Sequence, residues 1–490
     1  MPTTATPPFN YWLWMQAMAE TLAASADPRH YGQRMRTKRL AELLRTTLED
    51  SPFYRRRAAR SAGGPPRLED FEPVGKRELM QHFDDWATDR RITRASVDAF
   101  LSDPARLADP YLGQYLVWTS SGTSGEPGTF VQDARSLAVY DALDAVRLRS
   151  GGGAHSPLAS WSVGQRVAYV GATGGHFAGN TSIARLQRIV PVLARPFAPT
   201  VKVFSVLDPL RQLVAELQAY QPTLLITYPS CAAALAQEQA GGQMHLRLVE
   251  TWCGGEQLSP AQREQIRASF GCALRNNYGA SEFFAIAWEC PQGHLHLNDD
   301  WVILEPVDEH RRAVPAGEQS HSTLLTNLAN HVQPLLRYDL GDRVRFVGRA
   351  CPCGSAFPVI EVDGRADDTL QLDDATGHPV TLLPLALATV IEEGADVAHF
   401  QLLRTAADAL ELRFESMVQD PEIAFVRSRA ALAVFLARHG LSNVRIQHGL
   451  APPIRQARSG KLCRVTALPG RAAAGSAGQH APTAVGTRSV

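Results

Sequence analysis

The chain has 490 residues, long enough for two or three domains and a large buried core. Apolar residues make up 45% and charged residues 20%, the proportions of an ordinary soluble globular protein. Forty-nine basic and 49 acidic side chains leave a formal net charge of zero, which argues against nucleic acid as a partner and fits small-molecule chemistry.

Residues 1–20 carry no basic leader, and no apolar stretch approaches membrane-spanning length, so no membrane association and a cytoplasmic location are expected. The aromatic run Tyr11-Trp12-Leu13-Trp14 reads as one face of a docked helix. In the cytoplasm the seven cysteines are expected as thiols or metal ligands. Residues 34–48 repeat apolar positions at helical spacing. Short apolar runs at 166–170, 223–227, 246–252 and 272–276 then predict buried strands, with helices over 208–220 and 260–270 between them. That alternation predicts an α/β fold with a mostly parallel sheet.

From residue 301 the pattern changes to short β runs at 302–305, 323–326, 335–338 and 343–347, predicting a β-rich subdomain over about 285–364. Strands at 400–404 and 410–414 and a helix over 422–438 follow. The expected division is a large α/β domain over 1–364 and a small, mobile α+β C-terminal domain over 365–469. An Ala/Gly/Ser/Pro-rich tail over 470–490 is expected to be disordered.

The sequence Thr119-Ser120-Ser121-Gly122-Thr123-Ser124-Gly125-Glu126-Pro127-Gly128 gathers five hydroxyls and three glycines in ten residues. Glycine lets backbone N–H groups converge on an anion, and hydroxyls donate further bonds to phosphate oxygens. A polar surface loop would have a similar composition. No Lys-Ser/Thr pair follows the glycines, so an ordinary P-loop nucleotidase that cleaves at the γ-phosphate is disfavoured.

This loop resembles the phosphate loop of the adenylate-forming enzymes, the acyl- and aryl-CoA ligases and their relatives, except that Glu126 stands where many members carry lysine. Further motifs follow in that family's order. Gly254-Gly255-Glu256 corresponds to the border of the adenine pocket. Asn276-Asn277-Tyr278-Gly279-Ala280-Ser281-Glu282 is similar to the Tyr-Gly-x-Ser/Thr-Glu signature. By resemblance Tyr278 stacks on adenine, Ser281 touches phosphate and Glu282 binds Mg²⁺, with Asn277 and Gly279 beside the nucleotide. Arg337-Tyr338-Asp339-Leu340-Gly341-Asp342 resembles the block whose last aspartate holds both ribose hydroxyls, a task that suits a carboxylate accepting two bonds. Gly364-Arg365-Ala366-Asp367-Asp368 resembles the interdomain hinge, Arg365 contacting the nucleotide and Asp367 acting as pivot. Arg458-Ser459-Gly460-Lys461 resembles the segment whose lysine bridges the attacking carboxylate and the α-phosphate, where a positive charge is needed.

Two further groups, Cys290-Pro291-Gln292-Gly293-His294-Leu295-His296 and Cys351-Pro352-Cys353-Gly354, supply the soft ligands of a tetrahedral Zn²⁺ site. A similar arrangement occurs in the phenylacetate-CoA-ligase-like branch, and that resemblance implies a structural Zn²⁺ on Cys290, His296, Cys351 and Cys353. His294 is the alternative to His296. Cys231, Cys253, Cys272 and Cys463 have no such partners. The resemblance as a whole implies ATP-dependent activation of an acid, aromatic by analogy, and transfer to a thiol such as CoA. An amine or a carrier protein is the alternative acceptor, and a homodimer is open. The acid pocket is expected near Tyr169, Gly174, His176, Phe177, Tyr228, Pro229 and Ser230, with His176 equally readable as a satisfied loop residue. The rival reading is a non-catalytic zinc-stabilised binding protein of the same fold, favoured by Glu126.

Overall fold

The computed structural model describes residues 8–58, 65–120, 128–148, 165–189, 199–363, 370–382, 384–395, 397, 400–414, 418, 420–454 and 464–467. Ser121, Gly122, Thr123, Ser124, Gly125, Arg365, Asp367 and Lys461 lie outside the described residues.

Helices open the chain. The first, Tyr11–Ala26, is capped by the Asn10 side chain, which accepts from the N–H groups of Trp12 and Leu13. Its aromatic run divides: Leu13 and Trp14 pack on the core, while Trp12 is 79% exposed. The next long helix, Gln33–Asp50, buries Leu43, Leu44 and Thr47 on one side, as the period of its apolar residues requires.

The body is a nine-stranded sheet in the order Arg343–Val347, Val359–Asp363, Leu295–Leu297, Ala287–Glu289, Ala273–Tyr278, Glu250–Gly254, Leu224–Thr227, Arg166–Gly171, Thr200–Ser205. The last five of these pair in parallel. Helices Ala178–Ile189, Leu210–Tyr220, Pro229–Ala240 and Pro260–Phe270 connect them. This is the α/β architecture that the alternating apolar runs predict.

The short β runs are distributed differently from the expectation of an appended unit. The strands Ala287–Glu289, Leu295–Leu297, Val359–Asp363 and Arg343–Val347 extend the parallel sheet with antiparallel pairings. Only Val302–Val307, Ser322–Asn327 and Tyr338–Asp339 form a separate three-stranded sheet. The run 335–338 shortens because Leu335 and Leu336 are buried outside the ladder and Arg337 has φ 49°. Its apolar character reflects burial, not pairing.

Towards the C-terminus a four-stranded sheet runs in the order Arg445–His448, Ala409–Phe414, Phe400–Ala406, Val465–Ala467. Helices Pro384–Ala395 and Pro421–Arg438 pack against each other closely, with Ala431 against Gly394. Arg438 reaches Asp208 of the body at 2.9 Å, and the Glu393 carboxylate meets Gly174. No helix among the described residues is long and apolar enough to cross a membrane.

Candidate active site and metal centre

The parallel strands run in chain order 2-1-3-4-5, so the chain reverses direction across the sheet between Arg166–Gly171 and Leu224–Thr227. Open α/β sheets bind ligands in the crevice outside the carboxyl ends of their strands at such a switch point. The expected site residues gather along these ends. Gly254 ends one strand and Tyr278 the next, with Gly255 and Glu256 following the first and Gly279 the second.

The hydroxyl-rich loop leaves and rejoins a tight hairpin. Leu116–Thr119 pairs with Thr129–Gln132, Ser120 N–H donates to the Gly128 carbonyl at 2.8 Å, and Ser120 Oγ accepts from Gly128 N–H at 2.8 Å. Trp118 donates its indole N–H to the Ser281 carbonyl at 2.9 Å, tying the loop's base to the Tyr-Gly-x-Ser-Glu segment. Glu282 is 6% exposed. Its Oε1 accepts from the Tyr338 hydroxyl at 2.7 Å and lies 3.8 Å from Lys76 Nζ. Lys76 Nζ also donates to Ser120 Oγ at 3.4 Å. Tyr278 donates its hydroxyl to Asp342 Oδ2 at 2.9 Å, which brings together the two residues expected at adenine and ribose. Burial, and then the Asp342 charge, hold the Tyr278 phenol well above its ordinary range, so it stays a donor.

The expected acid-pocket residues sit on the switch-point side. Glu256 Oε2 accepts from Ser230 N–H at 3.0 Å, placing a carboxylate at the N-terminus of Pro229–Ala240, where the helix dipole favours it. Phe177 bridges to Thr119 beside the hydroxyl-rich loop. His176 turns elsewhere. It is 5% exposed, its ring lies 5.9 Å from Phe100, and its Nε2 is 3.3 Å from the Asp103 carbonyl. Burial lowers its pKa, so the ring is neutral. Its Nδ1 is buried without a hydrogen-bond partner among the described residues, so the ring is only half satisfied.

Sequence reasoning missed Lys76. It opens the short helix Lys76–Gln81, 44 residues before Ser120, and nothing in its local pattern marks it. The available signal was indirect: the expected phosphate loop carries Glu126 where the resemblance implies a lysine, so a positive charge would have to come from another segment. Tyr338 lay inside a quoted motif without a role.

The second centre is built from two turns. Gly293 N–H donates to the Cys290 carbonyl at 2.9 Å, and Gly354 N–H to the Cys351 carbonyl at 3.1 Å. Both glycines have positive φ, 78° and 82°, a conformation that side chains resist. These turns bring the ligand atoms of Cys290, His296, Cys351 and Cys353 within 4.8 Å of one another. Cys290 Sγ and Cys351 Sγ are 3.8 Å apart, and Cys353 Sγ is 3.3 Å from His296 Nε2. A tetrahedron with Zn–S bonds of about 2.3 Å has S–S edges of about 3.8 Å, so the donor set fits Zn²⁺. His296 Nδ1 faces the Phe357 carbonyl at 3.0 Å, which fixes the proton there and frees Nε2 for a metal. His294 stands one step out, with Nδ1 3.2 Å from Cys351 Sγ. Burial raises the Cys290 thiol and pushes Cys353 up to about 12, a penalty on thiolates that a divalent cation reverses.

No protein-family model matches the chain. Protein CapK of Staphylococcus aureus is 25% identical over 137 residues, 28% of this chain and 29% of that relative, so the match spans less than a third of the relative's length. Among solved structures, 2-hydroxyisobutyryl-CoA ligase bound to 2-HIB-AMP and CoA in its thioesterification state aligns with a TM-score of 0.53 at 22% identity, covering 89% of each chain. An open conformation of the same ligase aligns at 0.51 and 21%, covering 89% of this chain and 91% of that one. The chain therefore has the fold of the adenylate-forming CoA ligases.

Proposed function

We propose that the chain uses ATP to activate a carboxylic acid. The carboxylate oxygen attacks the α-phosphorus, the bond from that phosphorus to the bridging oxygen breaks, and pyrophosphate leaves an acyl-adenylate. A thiol sulfur, that of CoA in the preferred reading, then attacks the acyl carbon. AMP departs and the thiol proton passes to solvent. An amine or a carrier-protein thiol would enter by the same second step.

The observation that carries this reading is the convergence of Ser120, Lys76, Glu282 and the Tyr278–Asp342 pair along the carboxyl ends of the strands. In it, Asp342 and Tyr278 hold ribose and adenine, with Gly254, Gly255 and Glu256 bordering the base. Ser120 and the glycines and hydroxyls that follow it cradle the β- and γ-phosphates, and Lys76 supplies the cation that Glu126 does not. Lys461 enters from the domain of residues 365–469 to bridge carboxylate and α-phosphate, and Asp367 is the pivot. Magnesium, when bound at Glu282, would neutralise charge on the phosphates. Zinc on Cys290, His296, Cys351 and Cys353 has a structural role, because four protein ligands leave no open position.

The test is exchange of labelled pyrophosphate into ATP across a panel of acids, in the wild type and in Lys461→Ala. Acid-dependent exchange that the variant loses supports the reading. Measurable ATP binding with no exchange from any acid would favour a non-catalytic protein of this fold.

A further inference from the structure

Glu282 and the residue before it are held at three points. Trp118 donates its indole N–H to the Ser281 carbonyl at 2.9 Å. Asn327, fully buried, donates from Nδ2 to the Glu282 carbonyl at 3.0 Å, while its Oδ1 accepts from the N–H groups of Ala329 and Asn330. The third hold is on the side chain, where the Tyr338 hydroxyl donates to Glu282 Oε1 at 2.7 Å. Both partners of that bond are buried, so water competes poorly for it.

Asn327 and Tyr338 belong to the small three-stranded sheet: Asn327 ends the strand Ser322–Asn327, and Tyr338 pairs with Leu325 of that strand. Lys76 is tied to the same sheet. Val74 N–H donates to the Arg337 carbonyl at 3.2 Å and Asp339 N–H to the Val74 carbonyl at 2.9 Å, so the chain passes alongside Tyr338 two residues before Lys76. Arg337 takes a left-handed conformation, φ 49°, which an arginine adopts only at a cost. Its N–H donates to Thr326 Oγ1 at 3.0 Å and its guanidinium to the Phe71 carbonyl at 3.1 Å, and these bonds hold the kink. A strained residue fastened in this way directly before Tyr338 fixes where the ring points. A phenol donates one hydrogen bond and brings no charge, so it orients the carboxylate and leaves its charge for other partners. Lys76 Nζ stands 3.8 Å from the same oxygen, Oε1. No hydrogen bond from the described residues reaches Oε2, which leaves that oxygen for a cation. A dication such as Mg²⁺ takes one or two carboxylates and fills its other positions with phosphate oxygens and water, and this donor set fits it.

We propose that Tyr338 is a positioning residue for the cation site: its hydroxyl commits Glu282 Oε1 to the protein and turns Oε2 towards a divalent cation in the crevice. Asn327 holds the backbone beneath that carboxylate, and the three-stranded sheet serves as the platform for both. The inference rests on the adenylation reading and adds to it a residue that touches neither nucleotide nor acid. Loss of such an outer partner weakens a metal site by about 10- to 100-fold, because the ligand is then free to turn.

The experiment uses Mn²⁺ as the probe, titrated into the full chain with α,β-methylene-ATP and followed by the electron paramagnetic resonance of the free ion. Glu282→Gln should remove most of the binding. Tyr338→Phe, which deletes one oxygen and keeps the ring, should weaken Mn²⁺ by about tenfold or more while the metal-free affinity for the analogue stays within about threefold. In the exchange assay, the same variant should need about tenfold more Mg²⁺ and then regain its rate to within about threefold, which a damaged fold would not do. A Tyr338→Phe protein that binds Mn²⁺ as the wild type does, while Glu282→Gln does not, overturns the inference and leaves adenylation standing. Weakened binding of the analogue itself, or exchange that no Mg²⁺ concentration restores, gives Tyr338 a role in the fold at large and also overturns it. No exchange with any acid in the wild type overturns the adenylation reading, and the Mn²⁺ titrations still decide the role of Tyr338.

Discussion

Lys76 and Glu282 form a pair whose purpose becomes visible only when the nucleotide is considered. At 3.8 Å, with side-chain exposures of 14% and 8%, they neutralise each other inside the crevice, and Lys76 also holds Ser120 at the edge of the hydroxyl-rich loop. In the proposed complex the lysine contacts phosphates present in both ground and transition states. Lys76→Met is therefore expected to raise the KM for ATP about tenfold or more while leaving kcat within about threefold, the signature of lost uniform binding; steady-state exchange kinetics at varied ATP would measure both. A second residue-scale prediction concerns His331, which packs between Arg135 and Thr46. Burial, and then the Arg135 charge, lower it from its ordinary 6.5 to about 4. The unfolded chain then binds more protons than the folded one between those values, so this residue's contribution is present above pH 6.5 and is lost as pH falls towards 4. His331→Gln should flatten the decline in unfolding free energy across that window, as read by urea titrations at several pH values. Neither residue is legible in the sequence, because each acquires its role from partners far along the chain.

At the scale of elements, the turns that carry the Cys/His cluster lie at the antiparallel half of the sheet. Cys290 follows Ala287–Glu289, His296 lies on Leu295–Leu297, and Cys351 and Cys353 precede Val359–Asp363, which pairs with His296. One zinc ion per chain is expected by elemental analysis. His296→Ala should abolish stoichiometric binding, whereas His294→Ala should keep one ion and weaken affinity by about 10- to 100-fold, as loss of an outer partner does. Equal loss in both variants would contradict the assignment of ligands. The grouping of Cys290, His296, Cys351 and Cys353 was legible because Cys and His at short spacings are rare outside metal sites, and the structure brings these four side chains together. The choice between His294 and His296 depends on which ring reaches Cys353, and that is set by strand pairing. Likewise the runs 166–170 and 223–227 declare strands through uninterrupted apolar character. That Arg343–Val347 and Val359–Asp363 extend the parallel body could not be read, because the pairing that joins them to it, Val359 with His296, spans more than sixty residues and leaves no mark on either strand's pattern.

For the whole molecule, the proposed chemistry needs two arrangements of the same two units. Lys461 serves the first half-reaction and must withdraw before a thiol can enter. The described contacts across the units include Arg438 with Asp208 at the surface, an ion pair of a kind that contributes roughly 0–1 kcal/mol, and buried apolar residues of both units belong to one cluster, so rotation has to part some apolar surface. Asp367→Pro fixes φ at the proposed pivot. It should leave acid-dependent pyrophosphate exchange largely intact while lowering transfer to CoA by about a hundredfold or more, as a pivot held in one arrangement serves only one step. Comparable loss in both half-reactions would count against the pivot. The order of motifs along the chain is what leads to the expectation of two units, since the Gly-Lys segment follows every motif that the resemblance assigns to the nucleotide. The most direct measurement uses the preferred acid labelled with ¹⁸O in its carboxylate, followed by mass analysis of the phosphate products after transfer. Adenylation predicts one ¹⁸O atom in each AMP formed and none in pyrophosphate. Label in inorganic phosphate, accompanied by ADP in place of AMP, would contradict the account at its centre.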